Sequence, residues 1–148
     1  MSEPSILLSL RPRFARAILD GTKTVELRRR RVRASPGTRL VLYASAPTMA
    51  VVGMASLGAV LTCDADSAWE NHGPKLGLNR AELDDYLQGR PACLLFLEGV
   101  LKLDEPLRLS DLRQGAQFRP PQSYRFVSDA DPSQVRTLAS TAKSESAG

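Results

Sequence analysis

Gly21, Lys23, Glu26 and Arg28 fall within the run GTKTVELRRRR, residues 21–31, which sets one acid among cations. Cations of these two kinds bind phosphate, arginine through a two-pronged donor and lysine as a point charge. A glutamate between them can orient both, accept a hydrogen bond from a base or sugar, or act as a general base. Lys23 can serve as nucleophile or base if neighbouring cations depress its pKa, an effect that a nearby Glu26 opposes. The alternative is a solvated strand face in which Glu26 pairs with a neighbouring arginine, worth less than about 1 kcal/mol.

The elements around this stretch decide where it points. SILLSL (5–10) is a short apolar run suited to a buried strand. Pro12 opens an amphipathic helix that Gly21 ends. From Lys23 the period is two, with Val25 and Leu27 on one side and Thr24, Glu26, Arg28 and Arg30 on the other. This predicts a charged face that the core does not need, with Arg29 sent to the buried side or the rim. Lys23, at the helix-to-strand corner, then converges with Glu26 and Arg28 at one lip.

Downstream, TRLVLYAS (38–45) and AVVGMASLGAVLTC (50–63) read as strands, the second bent at Gly53 and Gly58. Asp64 or Asp66 caps a short helix. Asn79 caps a clearer one, with Glu82 three residues on in capping-box style. ACLLFLEGVLKLDEPLRL (92–109) is a long strand bent or broken at Gly99, and LSDLR makes one helical turn. The expectation is an α+β fold: a small, partly closed β-barrel of about five to six mostly antiparallel strands with flanking short helices. Residues 1–128 form a single domain on this reading, and 129–148 a disordered, small and polar tail.

Charge is uneven. Between Arg11 and Arg39 lie ten basic residues and two acids, a local excess of +8 in a chain of net charge +4. A basic patch on a mildly acidic body suits a polyanion, whether nucleic acid, an acidic protein or a phosphate-bearing small molecule. No apolar run is long enough for a membrane span. Two isolated cysteines and one histidine, His72, do not make a common zinc set, so neither a metal nor another cofactor is expected. A reduced, cytoplasmic protein is the reading.

The pattern G-x-K-x-x-E-x-R resembles the signature of the ASCH domain family, a branch of the PUA-like superfamily. LLSLRPRFARAILDGTKTVELRRR resembles that family's first strand, helix and second strand, LVLYASAPTMAVVGMA its central hairpin, and FRPPQSYRF its C-terminal segment. The resemblance spans roughly residues 5–127 in the family's order. It implies a PUA-like barrel with a cleft lined by the motif, binding single-stranded RNA or a nucleotide. Some members are metal-dependent ribonucleases. One bacterial branch is an amidohydrolase of N4-acetylcytidine using a lysine, a threonine and a distant glutamate. Lys23 matches that lysine, whereas Glu26 stands where the threonine would be, and Glu70 and Glu82 are the candidates for the glutamate.

The binding reading assigns phosphate to Arg11, Arg13, Lys23, Arg28 and Arg30, and a base or sugar to Glu26 and Tyr43. Ser45 borders the motif, and Gln122, Ser123 and Tyr124 close the cleft. A hydrolase, cutting RNA or modified nucleosides, is the alternative, with Lys23 and Glu26 as its catalytic pair. A third reading makes the protein an adaptor, with the motif as scaffold. Trp69 and Tyr86 are expected to face the core and His72 to end a helix. Asp84 and Asp85 diverge around a helix and make a poor metal pair.

Overall fold

The computed structural model describes residues 4–115 and 117–140. Six strands form one mixed, curled sheet: β1 (Ser5–Leu10), β2 (Val25–Arg28), β3 (Arg39–Ala44), β4 (Ala50–Cys63), β5 (Ala92–Arg108) and β6 (Tyr124–Phe126). Their spatial order is β2-β5-β4-β3-β1-β6, and every neighbouring pair is antiparallel except β1 with β3. The edge strands β2 and β6 are not paired to each other, so the sheet is a half-barrel with an open seam. The long β4–β5 pair slips register beside Gly53 and again beside Gly58, which lets it bend.

Five helices cover this sheet: α1 (Pro12–Asp20), α2 (Ala65–His72), α3 (Arg80–Leu87), the single turn α4 (Leu109–Leu112) and α5 (Ser133–Ser140). Pro12 begins α1, and Gly21 closes it in the left-handed conformation, its N–H donating to the Ile18 carbonyl. Asp64 caps α2. α3 carries the full capping box, Asn79 Oδ1 accepting from the Glu82 N–H and Glu82 Oε1 from the Asn79 N–H. No helix among the described residues is long and apolar enough to cross a membrane.

Alternate residues of β1 go to opposite sides, Ile6, Leu8 and Leu10 into one core and Leu7 into another. The first core holds Ala15 and Ile18 of α1 against β3, β4 and β5. The second lies under α4, Phe118 and Val135 of α5. A third packs α2 and α3 on Val25, Leu27 and Leu94.

Two expectations need correction. The stretch from residue 129 is not uniformly a disordered tail: α5 packs Val135 into the second core, and Ser5 Oγ of β1 donates to the Ala139 carbonyl. Asp131 leads into it, buried and gripped by both terminal nitrogens of Arg125 at 2.9 and 2.7 Å. The expectation for residues 141–148 lies outside the described residues. The charged face of β2 is also not solvated, since all four of its residues are buried. The strand stops at Arg28, leaving Arg29 and Arg30 exposed beyond it.

Candidate nucleic-acid cleft

The seam opens into a cleft of about 850 Å³. Its floor is the motif. Lys23 follows the α1–β2 corner, and its side chain turns inward until it is only 1% exposed. The ammonium donates to the carbonyls of Val25 (2.9 Å) and Leu76, and lies 3.2 Å from Glu26 Oε1. It also sits 5.0 Å from the centre of the Phe14 ring. Glu26 Oε2 takes Arg28 Nε at 2.8 Å and Nη2 at 2.6 Å. Arg28 then crosses the seam, Nη2 donating to the Ser9 carbonyl (2.7 Å) and Nη1 to Ser123 Oγ (3.1 Å). Where β2 and β6 fail to meet, one guanidinium joins β2 to β1 and to the segment entering β6.

This network is crowded and dry. Burial depresses the Lys23 pKa, aided by Arg28 and Arg13, while Glu26 pulls the other way. Burial alone would raise the Glu26 carboxyl, but Arg28 and Lys23 overcome it and hold Glu26 below its ordinary value. Two cations and one anion leave a surplus positive charge under the cleft. All three ammonium hydrogens of Lys23 already have acceptors, which argues against the lysine as a free nucleophile. Glu26, bound on both oxygens by cations, is no general base in this arrangement.

Gly77 makes the burial of Lys23 possible. It lies at φ +76°, and a Cβ there would come within 3.0 Å of Lys23 Cδ and 3.2 Å of its Cβ. Gly77→Ala is expected to cost about 2 kcal/mol, from the left-handed backbone and the displaced lysine together. A denaturant titration reads this as a lower midpoint at unchanged slope.

The walls hold the uncommitted groups. Arg11 at the α1 cap, Arg30, Ser45 and Gln122 line the cleft with no side-chain hydrogen bond or ion pair among the described residues. Tyr43 lines it too. Its residue is 3% exposed, yet its hydroxyl has no partner among the described residues. Burial raises the Tyr43 pKa, with Arg113 opposing, so the hydroxyl keeps its proton at neutral pH. Arg13 is more constrained than its sequence position suggests. It grips both carboxylate oxygens of Glu82 and donates to the Gly77 carbonyl at 3.2 Å. That pairing and the Asn79 N–H hold Glu82 at about 2.

Of the residues the sequence singled out, Arg11, Arg13, Lys23, Glu26, Arg28, Arg30, Tyr43, Ser45, Gln122 and Ser123 line this one cleft. Tyr124 does not. It packs on the first core, and its hydroxyl accepts the Arg33 N–H at 3.2 Å. Tyr86, expected to face the core, lines the cleft as well as packing on the third core. Ser9, Phe14, Met49 and Asp85 were also missed. Ser9 carried a signal, as the polar residue inside an apolar strand, and its hydroxyl donates to the Pro121 carbonyl at 2.6 Å.

A metal fits poorly here. Glu26 and Glu82 are spent on cations, which leaves Asp85 as the uncommitted carboxylate of the cleft. Among the described residues no group of three or more His, Cys, Asp or Glu side chains is placed to hold a metal ion.

The curled, mixed half-barrel with its seam cleft is the PUA-like architecture. The chain belongs to the ASCH domain family. Residues 5–114 match a family defined as a domain of unknown function, DUF365. The chain is 33% identical over 135 residues to an ASCH domain-containing ribonuclease of Zymomonas mobilis, covering 90% of this chain and 91% of that one. A crystal structure of ASCH from Zymomonas mobilis superposes with a TM-score of 0.81 at 31% identity, over 93% of this chain and 96% of the other. The Zymomonas protein has also been solved with a tyrosine replaced by phenylalanine (TM-score 0.82) and with a serine replaced by alanine (0.81). Human THYN1, in complex with 5-methylcytosine-containing DNA, shares the fold alone: TM-score 0.54 at 12% identity, over 95% of this chain and 99% of that one.

Proposed function

We propose that this protein binds single-stranded RNA in the seam cleft and cleaves its backbone there. The observation that carries the reading is the surplus positive charge buried in the Lys23–Glu26–Arg28 floor, beneath walls whose hydrogen-bonding groups are uncommitted. A low-dielectric floor that is one charge positive favours an anion above it, and exposed Arg11, Arg29 and Arg30 draw the strand in. The likeness to a ribonuclease over nine-tenths of the chain supports the same substrate.

The motif then acts as support rather than as reagent. Arg28 fixes Ser123, while the protonated Tyr43 hydroxyl donates to a phosphate oxygen as negative charge builds on it. The occupied Lys23 ammonium favours RNA cleavage over amide hydrolysis through the lysine.

The test is incubation of the purified protein with end-labelled single-stranded RNA, resolved on a denaturing gel. Fragments that accumulate with time and enzyme concentration are expected. RNA that is bound but uncut would remove the catalytic half of the proposal, and RNA neither bound nor cut would overturn it.

A further inference from the structure

We infer that the α3 wall of the cleft is a base-reading subsite that selects guanine, an inference that rests on the RNA reading above. Three neighbouring features converge there. The Arg29 guanidinium lies over the Tyr86 ring, 5.5 Å from its centre. The Tyr86 hydroxyl accepts the Arg29 backbone N–H at 3.3 Å, so the strand end and the ring are tied together. Both residues line the cleft, and a base entering it meets a planar cation already stacked on an aromatic.

Asp85, next to Tyr86, lines the same wall. Its carboxylate has only a long 3.5 Å contact to Gln88 Nε2, whereas Glu26 and Glu82 in the same cleft are bound to cations. An unneutralised carboxylate repels phosphate, so the space immediately before Asp85 does not suit the backbone. It suits the edge of a base. Guanine presents two adjacent donors, N1–H and the N2 amine, which match the two oxygens of a carboxylate. Adenine and cytosine offer an amine beside an acceptor nitrogen. Uracil flanks its single N–H with two carbonyl oxygens that the carboxylate opposes.

The experiment is fluorescence anisotropy with short single-stranded RNAs identical but for one central base: guanine, hypoxanthine, adenine, cytosine or uracil. RNA integrity is checked on a gel after each titration. Guanine is expected to bind on the order of ten-fold tighter than uracil, with hypoxanthine, which lacks the amine, between them. In Asp85→Asn the guanine-to-uracil ratio falls below about three-fold. Because the ratio is taken within one variant, the general gain from losing a negative charge cancels. Tyr86→Ala weakens all five RNAs, on the order of ten-fold. Salt-sensitive binding with no base preference overturns the inference and leaves the RNA reading standing. So does a guanine preference that survives Asp85→Asn. No binding of any RNA overturns both.

Discussion

Replacing Glu26 by glutamine is expected to destabilise the fold by about 3–5 kcal/mol in denaturant titrations. Glu26 is 5% exposed, and its carboxylate is the anion between Lys23 and Arg28. Glutamine keeps the shape but leaves two buried cations facing each other without a counter-charge. An exposed pair is the internal control: removing Asp84 from Arg80 is expected to leave the midpoint nearly unchanged.

The pH dependence follows from the same triad. Glu26 is held below its ordinary value of 4.5, so the folded protein keeps the charge where the unfolded chain takes a proton. Its contribution is complete above about 4.5 and is lost as pH falls through the folded-state value. Glu26→Gln therefore flattens the acid limb of the stability curve. Lys23 acts with the opposite balance. Its pKa is lowered from 10.5, so between the folded-state value and 10.5 the unfolded chain holds more protons and stability rises with pH.

Tyr43→Phe is expected to slow RNA cleavage on the order of a hundred-fold, with RNA affinity changed by no more than about three-fold. The ring packs 6.4 Å from Phe118 and its residue is 3% exposed, so phenylalanine fills the same space. Only the hydroxyl goes, and no described residue loses a hydrogen-bond partner with it. A variant that cleaves at the wild-type rate would show that the transition state does not use this donor. A fall in affinity equal to the fall in rate would assign the hydroxyl to binding rather than to chemistry.

Local signals in the sequence located most of the elements. Pro12 and Gly21 bracket α1, Asn79 with Glu82 announces α3, and the period-two run from Lys23 announces β2. The Gly21-to-Arg28 pattern also drew attention to the cleft floor. What it could not convey was that the floor is buried, because the groups that bury it come from far along the chain. Leu76 supplies a carbonyl to Lys23 from 53 residues away, and Ser123 meets Arg28 across 95. A strand at a sheet edge normally shows one face to water. β2 does not, because Phe14 of α1, the turn at Gly77 and Ser123 before β6 pack around its motif side chains beneath the cleft. Tyr86 was missed for the complementary reason: on a short amphipathic helix a tyrosine reads as core, and only the place of Arg29 over its ring shows the second role. In α5 the spacing of Val135 and Leu138 was visible, but its small and polar neighbours masked it.

On the RNA reading, the exposed arginines beyond β2 guide a polyanion onto a cationic floor. Anisotropy titrations of labelled single-stranded RNA, run from about 50 to 300 mM salt with wild type and the double variant Arg29→Ala/Arg30→Ala, test it most directly. Both residues are exposed, so the fold is expected to survive the change. Log affinity is expected to fall linearly with log salt in wild type, and the variant to bind more weakly with a slope shallower by about one to two. Affinity insensitive to salt, or an identical slope in the variant, would contradict it.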